Sequence, residues 1–140
     1  MPPSSTRTVC WQPTWNPAHK GVGMEHLLLS ATRADAVVLA IDEDGSPLRL
    51  RYRLAWDTAW QLREAELTLE TAHATRSLVL RTDGQGRWRD GDDRAMDELD
   101  GCRDIDIWPT PFTNSFPIRR VPLALGERRE FRMAWVDGLA

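Results

Sequence analysis

Asp104 and Asp106, two positions apart in "CRDIDI" (102–107), are the residues of this 140-residue chain whose type and spacing come nearest to a chemical device. Alternate side chains of an extended strand share a face and stand about 6–7 Å apart, because each residue rises by about 3.3 Å. That spacing would suit an acid and a base flanking a glycosidic bond. It suits equally well two acids paired with arginines of a neighbouring strand, a far commoner arrangement, since a catalytic acid also needs a cleft that perturbs it. A second constellation is the basic comb Arg49, Arg51 and Arg53. Its ordinary reading is a solvated face paired with Glu64, Glu66 and Glu70; its sharper reading is a set of bidentate forks for an anionic headgroup.

Other chemistries find no support. His19, His26 and His73 are scattered without ligand spacing, so no metal site is implied. There is no nucleophile elbow and no glycine-rich phosphate loop. Cys10 and Cys102 form no CxxC and no Cys/His pattern; both read as reduced thiols, Cys102 as a small buried one. No cofactor is implied. A net charge of -3, from 18 basic and 21 acidic residues, offers no field to recruit nucleic acid. Lacking a signal-peptide core or a membrane-length apolar run, the chain is expected not to span a membrane and to sit by default in the cytoplasm.

The elements that must position any site read as strands of one domain, 1–140, after a loop-rich stretch over 1–24 broken by Pro13, Pro17, Gly21 and Gly23. "EHLLLS" (25–30) and "AVVLAI" (36–41) are short apolar runs, the second expected to be buried on both faces. "LRLRYRLAW" (48–56) alternates cleanly, with Leu48, Leu50, Tyr52, Leu54 and Trp56 on one face and the arginine comb on the other. In "WQLREAELTLE" (60–70) the apolar parity switches between Leu62 and Leu67, which predicts a bulge or bend near 63–66. "RSLVLRTDGQGRWRDG" (76–91) predicts a hairpin with Leu78 and Leu80 inward and Trp88 on the return strand. The prolines of "WPTPFTNSFP" (108–117) make it a structured corner, followed by an expected edge strand over 118–125 that holds Pro122. "REFRMAWVD" (129–137) predicts a last strand with Phe131, Met133 and Trp135 on one face. About eight antiparallel strands result, and the seven tryptophans must line a core or a cavity wall.

"LDGCRDIDIWPTPFTNSFPIRR" (99–120) resembles the signature of a bacterial glycolipid-binding family once classed only as a domain of unknown function. "GMEHLLL" (23–29), "LRLRYRLAWDTAWQLREAEL" (48–67), "LVLRTDGQGRWRD" (78–90) and "EFRMAWVD" (130–137) follow the same family's order. The resemblance implies an all-β fold: a strongly curved antiparallel sheet forming an open, incomplete β-barrel similar to lipoprotein-localisation factors. It also implies that the family's sheet continues beyond Ala140, so that an edge would be uncovered and could pair two copies into a homodimer.

Together these readings point to a non-catalytic protein that holds an acyl chain or glycolipid on an apolar concave face. Candidate contacts are Tyr52, Arg53, Trp60, Trp88, Asp104, Asp106, Thr113, Asn114, Arg119 and Arg120, the polar ones at a headgroup rim. The alternatives are a glycoconjugate-acting enzyme that uses Asp104 and Asp106, and a structural sheet that self-associates through the 118–125 edge.

Overall fold

The computed structural model of the chain describes residues 5–14 and 17–137. Seven strands follow one another as a simple meander: β1 (Arg7–Trp11), β2 (Met24–Leu29), β3 (Arg33–Ile41), β4 (Pro47–Trp56), β5 (Leu62–Glu70), β6 (Thr75–Thr82) and β7 (Trp88–Asp90). Each pairs antiparallel with its successor, and β1 and β7 remain as the two edges, so the sheet curls without closing. The remaining strands, β8 (Asp104–Trp108) and β9 (Met133–Asp137), pair parallel with each other, Asp104 opposite Met133 and Trp108 opposite Asp137. A parallel pair needs a long crossover. Residues 109–132 supply it with a 3-10 turn (Phe112–Asn114), the short helix α1 (Ser115–Arg120) and an irregular return.

Alternation builds the core. From β4 alone, Leu48, Leu50, Tyr52, Leu54 and Trp56 are buried while Arg49, Arg51 and Arg53 face out. β3 follows the same rule rather than being buried on both faces: Ala34, Ala36, Val38 and Ala40 point in, whereas Leu39 is exposed. A meander with one face in water has no use for a strand that is apolar all round. The predicted bulge is present, because Ala55 pairs with Glu64 but Trp56 with Leu62, leaving Arg63 as the extra residue. That one-residue slip returns Leu62 and the set Ala65, Leu67 and Leu69 to the same side.

What fills the hollow of the sheet is β8 and the corner after it. The Trp88 indole N–H of β7 donates to the Cys102 carbonyl at 2.7 Å, and the Tyr52 hydroxyl of β4 lies 3.3 Å from that of Thr110. Those two contacts anchor β8 to β7 and its corner to β4, and Ile105 and Ile107 on β8 are fully buried. Gly23 lets the chain entering β2 lie close against the β3 backbone: its φ is +93°, and a Cβ there would stand 2.0 Å from the Leu39 carbonyl oxygen, so only glycine fits.

Two expectations fail at the C-terminal end. Residues 118–125 form no strand; α1 runs to Arg120 and an irregular stretch follows. Pro117 is tolerated in the first turn of the helix, and Pro122 supplies no N–H for either helix or ladder. The last strand begins at Met133, not 129, and its parity is reversed: Ala134 is buried while Trp135 is 70% exposed. The expected eight antiparallel strands are therefore seven, with a separate parallel pair.

Candidate functional site

β2 carries an acid on its inward face. Its buried positions are Glu25, Leu27 and Leu29, so the first inward side chain of the strand is a carboxylate only 4% exposed. Two hydroxyls meet its Oε1. The Tyr52 O–H donates to it, and the Thr110 O–H donates at 2.7 Å. Thr110 is itself held in place, because its Oγ1 accepts the Phe112 N–H at 3.1 Å. Burial raises the Glu25 pKa, and the bonds from Tyr52 and Thr110 offset this only in part. Burial, the Glu25 charge and the shared hydrogen bond all push Tyr52 upward, so its phenol remains a donor. Since both hydroxyl protons go to Oε1, a proton retained by Glu25 belongs on Oε2, which has no partner among the described residues.

Glu25 lines a cleft of about 540 Å³ at the open end of the sheet. Trp11, Gln12, Pro13 and Thr14 form one wall, Met24 and Val38 the back, and Asp106 to Pro111 with Trp135 the opposite wall. This volume lies in the range of small-ligand sites, and the mix of apolar walls with few polar groups is their usual chemistry. Asp106 is half-buried here and joins no ion pair or side-chain hydrogen bond among the described residues. The Trp108–Pro109 peptide bond in the wall is cis. No group of described side chains is arranged to hold a metal.

Asp104, its neighbour on β8, is employed differently. Arg120 grips it with two parallel bonds, Nη1 to Oδ1 at 2.5 Å and Nη2 to Oδ2 at 2.6 Å, and both side chains are largely buried. The pair clips α1 to β8, and hydrogen bonding to Asp104 raises the Arg120 pKa. The aromatic residues beside this clip are packed solid. Trp56 and Trp60 stack at 5.2 Å, Phe116 meets Trp56 edge-on at 5.3 Å, and Arg119 covers Trp60 at 5.5 Å, a cation–π contact. Trp60 reaches this position with a left-handed φ of 60°. The turn that holds it is organised by Asp57, whose Oδ1 accepts the N–H groups of Ala59 at 2.9 Å and Gln61 at 3.0 Å.

The residues proposed from sequence thus scatter. Asp106 alone lines the cleft, while Tyr52 and the corner of Thr113 sit behind it, Thr113 accepting the Ile107 N–H at 3.3 Å. Trp88 and Asp104 are fully buried and bonded within the fold, Trp60, Arg119 and Arg120 belong to the aromatic end, and Asn114 is exposed. Arg53 is on the outer face, 3.3 Å from Asp35. Of the pairings expected for the comb, Arg49–Glu70 forms at 3.2 Å, whereas Glu64 pairs with Arg81. Sequence reasoning missed Trp11, Met24, Glu25, Trp108, Thr110 and Trp135. The inward parity of Glu25 at the head of an apolar strand was the available signal.

Comparison with known proteins agrees with this architecture. A crystal structure of a DUF1089 family protein from Pseudomonas aeruginosa is 45% identical, superposes with a TM-score of 0.79, and aligns over 93% of this chain and 70% of its own. No match was found among curated proteins. The family model described as "Putative glycolipid-binding" matches residues 9–139. The chain belongs to that family.

Proposed function

We propose that the chain is a non-catalytic binder of an amphiphile, a lipid or glycolipid, seated in the cleft between β2 and β8. The observation that carries this reading is the cleft itself: about 540 Å³ of open space walled by Trp11, Trp108, Trp135 and three prolines, with Glu25, Asp106, Gln12, Thr14 and Thr110 as its polar lining. Indoles accept both alkyl chains and the apolar faces of sugars, and carboxylates take hydroxyl protons. The family's description as glycolipid-binding supports the same class of ligand. The wider concave face does not take part, because Ile105, Ile107, Phe112 and Phe116 already occupy it.

The enzyme reading built on Asp104 and Asp106 is the weaker one. Both Asp104 oxygens are engaged by Arg120, and freeing one would leave a buried charge unpaired. Titrating the protein with octyl-chain amphiphiles below their micelle concentrations, read by indole fluorescence and native mass spectrometry, tests the binding proposal. A saturable spectral shift with a bound mass is expected; an unchanged spectrum and a bare mass across the series would refute it.

A further inference from the structure

The cleft has a charge character that selects among amphiphiles. Among the described residues no Lys, Arg or His lines the cleft, and neither Glu25 nor Asp106 is in an ion pair. The arginines that could serve an anionic headgroup are elsewhere, Arg120 on Asp104, Arg119 over Trp60 and Arg53 on the outer face with Asp35. Glu25 is also finished as an acceptor on one side only. Oε1 is occupied by Tyr52 and Thr110, while Oε2 is left for whatever enters the cleft.

We infer that this cleft recognises an uncharged, hydroxyl-bearing headgroup through Glu25 Oε2 and Asp106, and rejects phosphate-, sulfate- or carboxylate-bearing amphiphiles. This rests on the binding reading above and adds the headgroup class to it. A sugar hydroxyl both donates and accepts, so it can donate a hydrogen bond to Asp106 and accept one from Glu25, whose burial favours the protonated acid. An anion placed there would meet the half-buried Asp106 with no cation among the described lining residues, and like-charge contact of this kind is unfavourable. The polar requirement is local, since apart from Gln12, Thr14 and Thr110 the rest of the wall is apolar and suits an alkyl tail.

Four ligands with one tail separate the cases: octyl glucoside, octyl phosphate, octyltrimethylammonium and octanol, each titrated below micelle formation against the full chain by calorimetry and indole fluorescence. Octyl glucoside is expected to bind at least about tenfold more tightly than octyl phosphate, and Asp106→Asn to narrow that gap to near parity. Glu25→Gln keeps a donor at the Oε2 position and is expected to retain glucoside binding, whereas Glu25→Leu is expected to weaken it about tenfold or more. Asp106 is half-buried and has no side-chain partner among the described residues, so its variant stays informative even where Glu25→Leu fails to fold. Octyl phosphate binding as well as the glucoside, the ammonium binding more tightly than it, or a selectivity unmoved by Asp106→Asn would each overturn the inference while leaving the cleft an amphiphile site. If none of the four binds, the underlying reading fails together with it.

Discussion

At the scale of single residues the governing fact is a carboxylic acid kept in the interior of a small β-protein. Glu25 is raised by burial, which means that the folded chain holds its proton more tightly than the unfolded one. The contribution to stability is therefore fully present below the unfolded pKa, about 4.3 for glutamate, and is lost as pH rises through the higher folded value. Glutamine keeps the acceptor for Tyr52 and Thr110 but cannot ionise. Glu25→Gln should match the wild type in urea unfolding near pH 4 and gain on it steadily as pH increases toward neutrality. A stability difference that stays constant across that window would show that folding does not shift the acid's pKa. Tyr52 follows the same logic in the opposite role, since burial and the neighbouring acid hold it as a phenol and a donor.

At the scale of elements, the fold is held together by how β8 and its crossover are fixed across the open sheet. Asp104 and Arg120 make the contact between β8 and α1 a pair of charge-assisted bonds in a largely buried place. Asp104→Ala leaves the guanidinium without its anion, and loss of one partner of a buried pair costs about 3–5 kcal/mol. Denaturant melts should show a loss of this size; a loss of under about 1 kcal/mol would place the pair with ordinary surface ion pairs. The sequence made much of this frame legible, and for physical reasons. β4 could be read because arginines alternate with Leu48, Leu50, Tyr52, Leu54 and Trp56. The bulge at Arg63 could be read because a parity switch has one cheap cure. The corner could be read from its prolines. The crossover was less legible, because "IRRVPLAL" (118–125) alternates like a strand while tertiary contacts with Asp104 turn its first residues into a helix end. β9 misled for a related reason: its largest apolar side chain, Trp135, serves the cleft wall, while the smaller Ala134 and Val136 serve the core. Glu25 stayed hidden because its partners lie 27 and 85 positions along the chain, brought near by the register of β2, β3 and β4 for Tyr52 and by the corner after β8 for Thr110.

At the scale of the whole molecule, the hollow of the sheet is divided into two unlike halves. Toward the β4–β5 turn, Trp56, Trp60, Phe112 and Phe116 interlock with ring centroids 5.2 to 6.0 Å apart, and close-packed interiors of this kind have no room for a guest. Toward β1 and β2 the same hollow opens as the cleft, with Trp11, Trp108 and Trp135 on its walls. An unclosed meander permits this division, since β1 is an edge and nothing in the ladder forces the gap beside it shut. The indoles therefore fall into reporters and bystanders. Trp11→Phe, Trp108→Phe and Trp135→Phe should each remove part of the fluorescence response to octyl glucoside, whereas Trp56→Phe, Trp60→Phe and Trp88→Phe should leave it intact. Trp135→Phe should do so with a stability change within about 0.5 kcal/mol, as expected for an exposed position. A response that vanishes with Trp56 or Trp60 and survives the loss of all three cleft indoles would move the ligand into the aromatic end, which must then open to admit it.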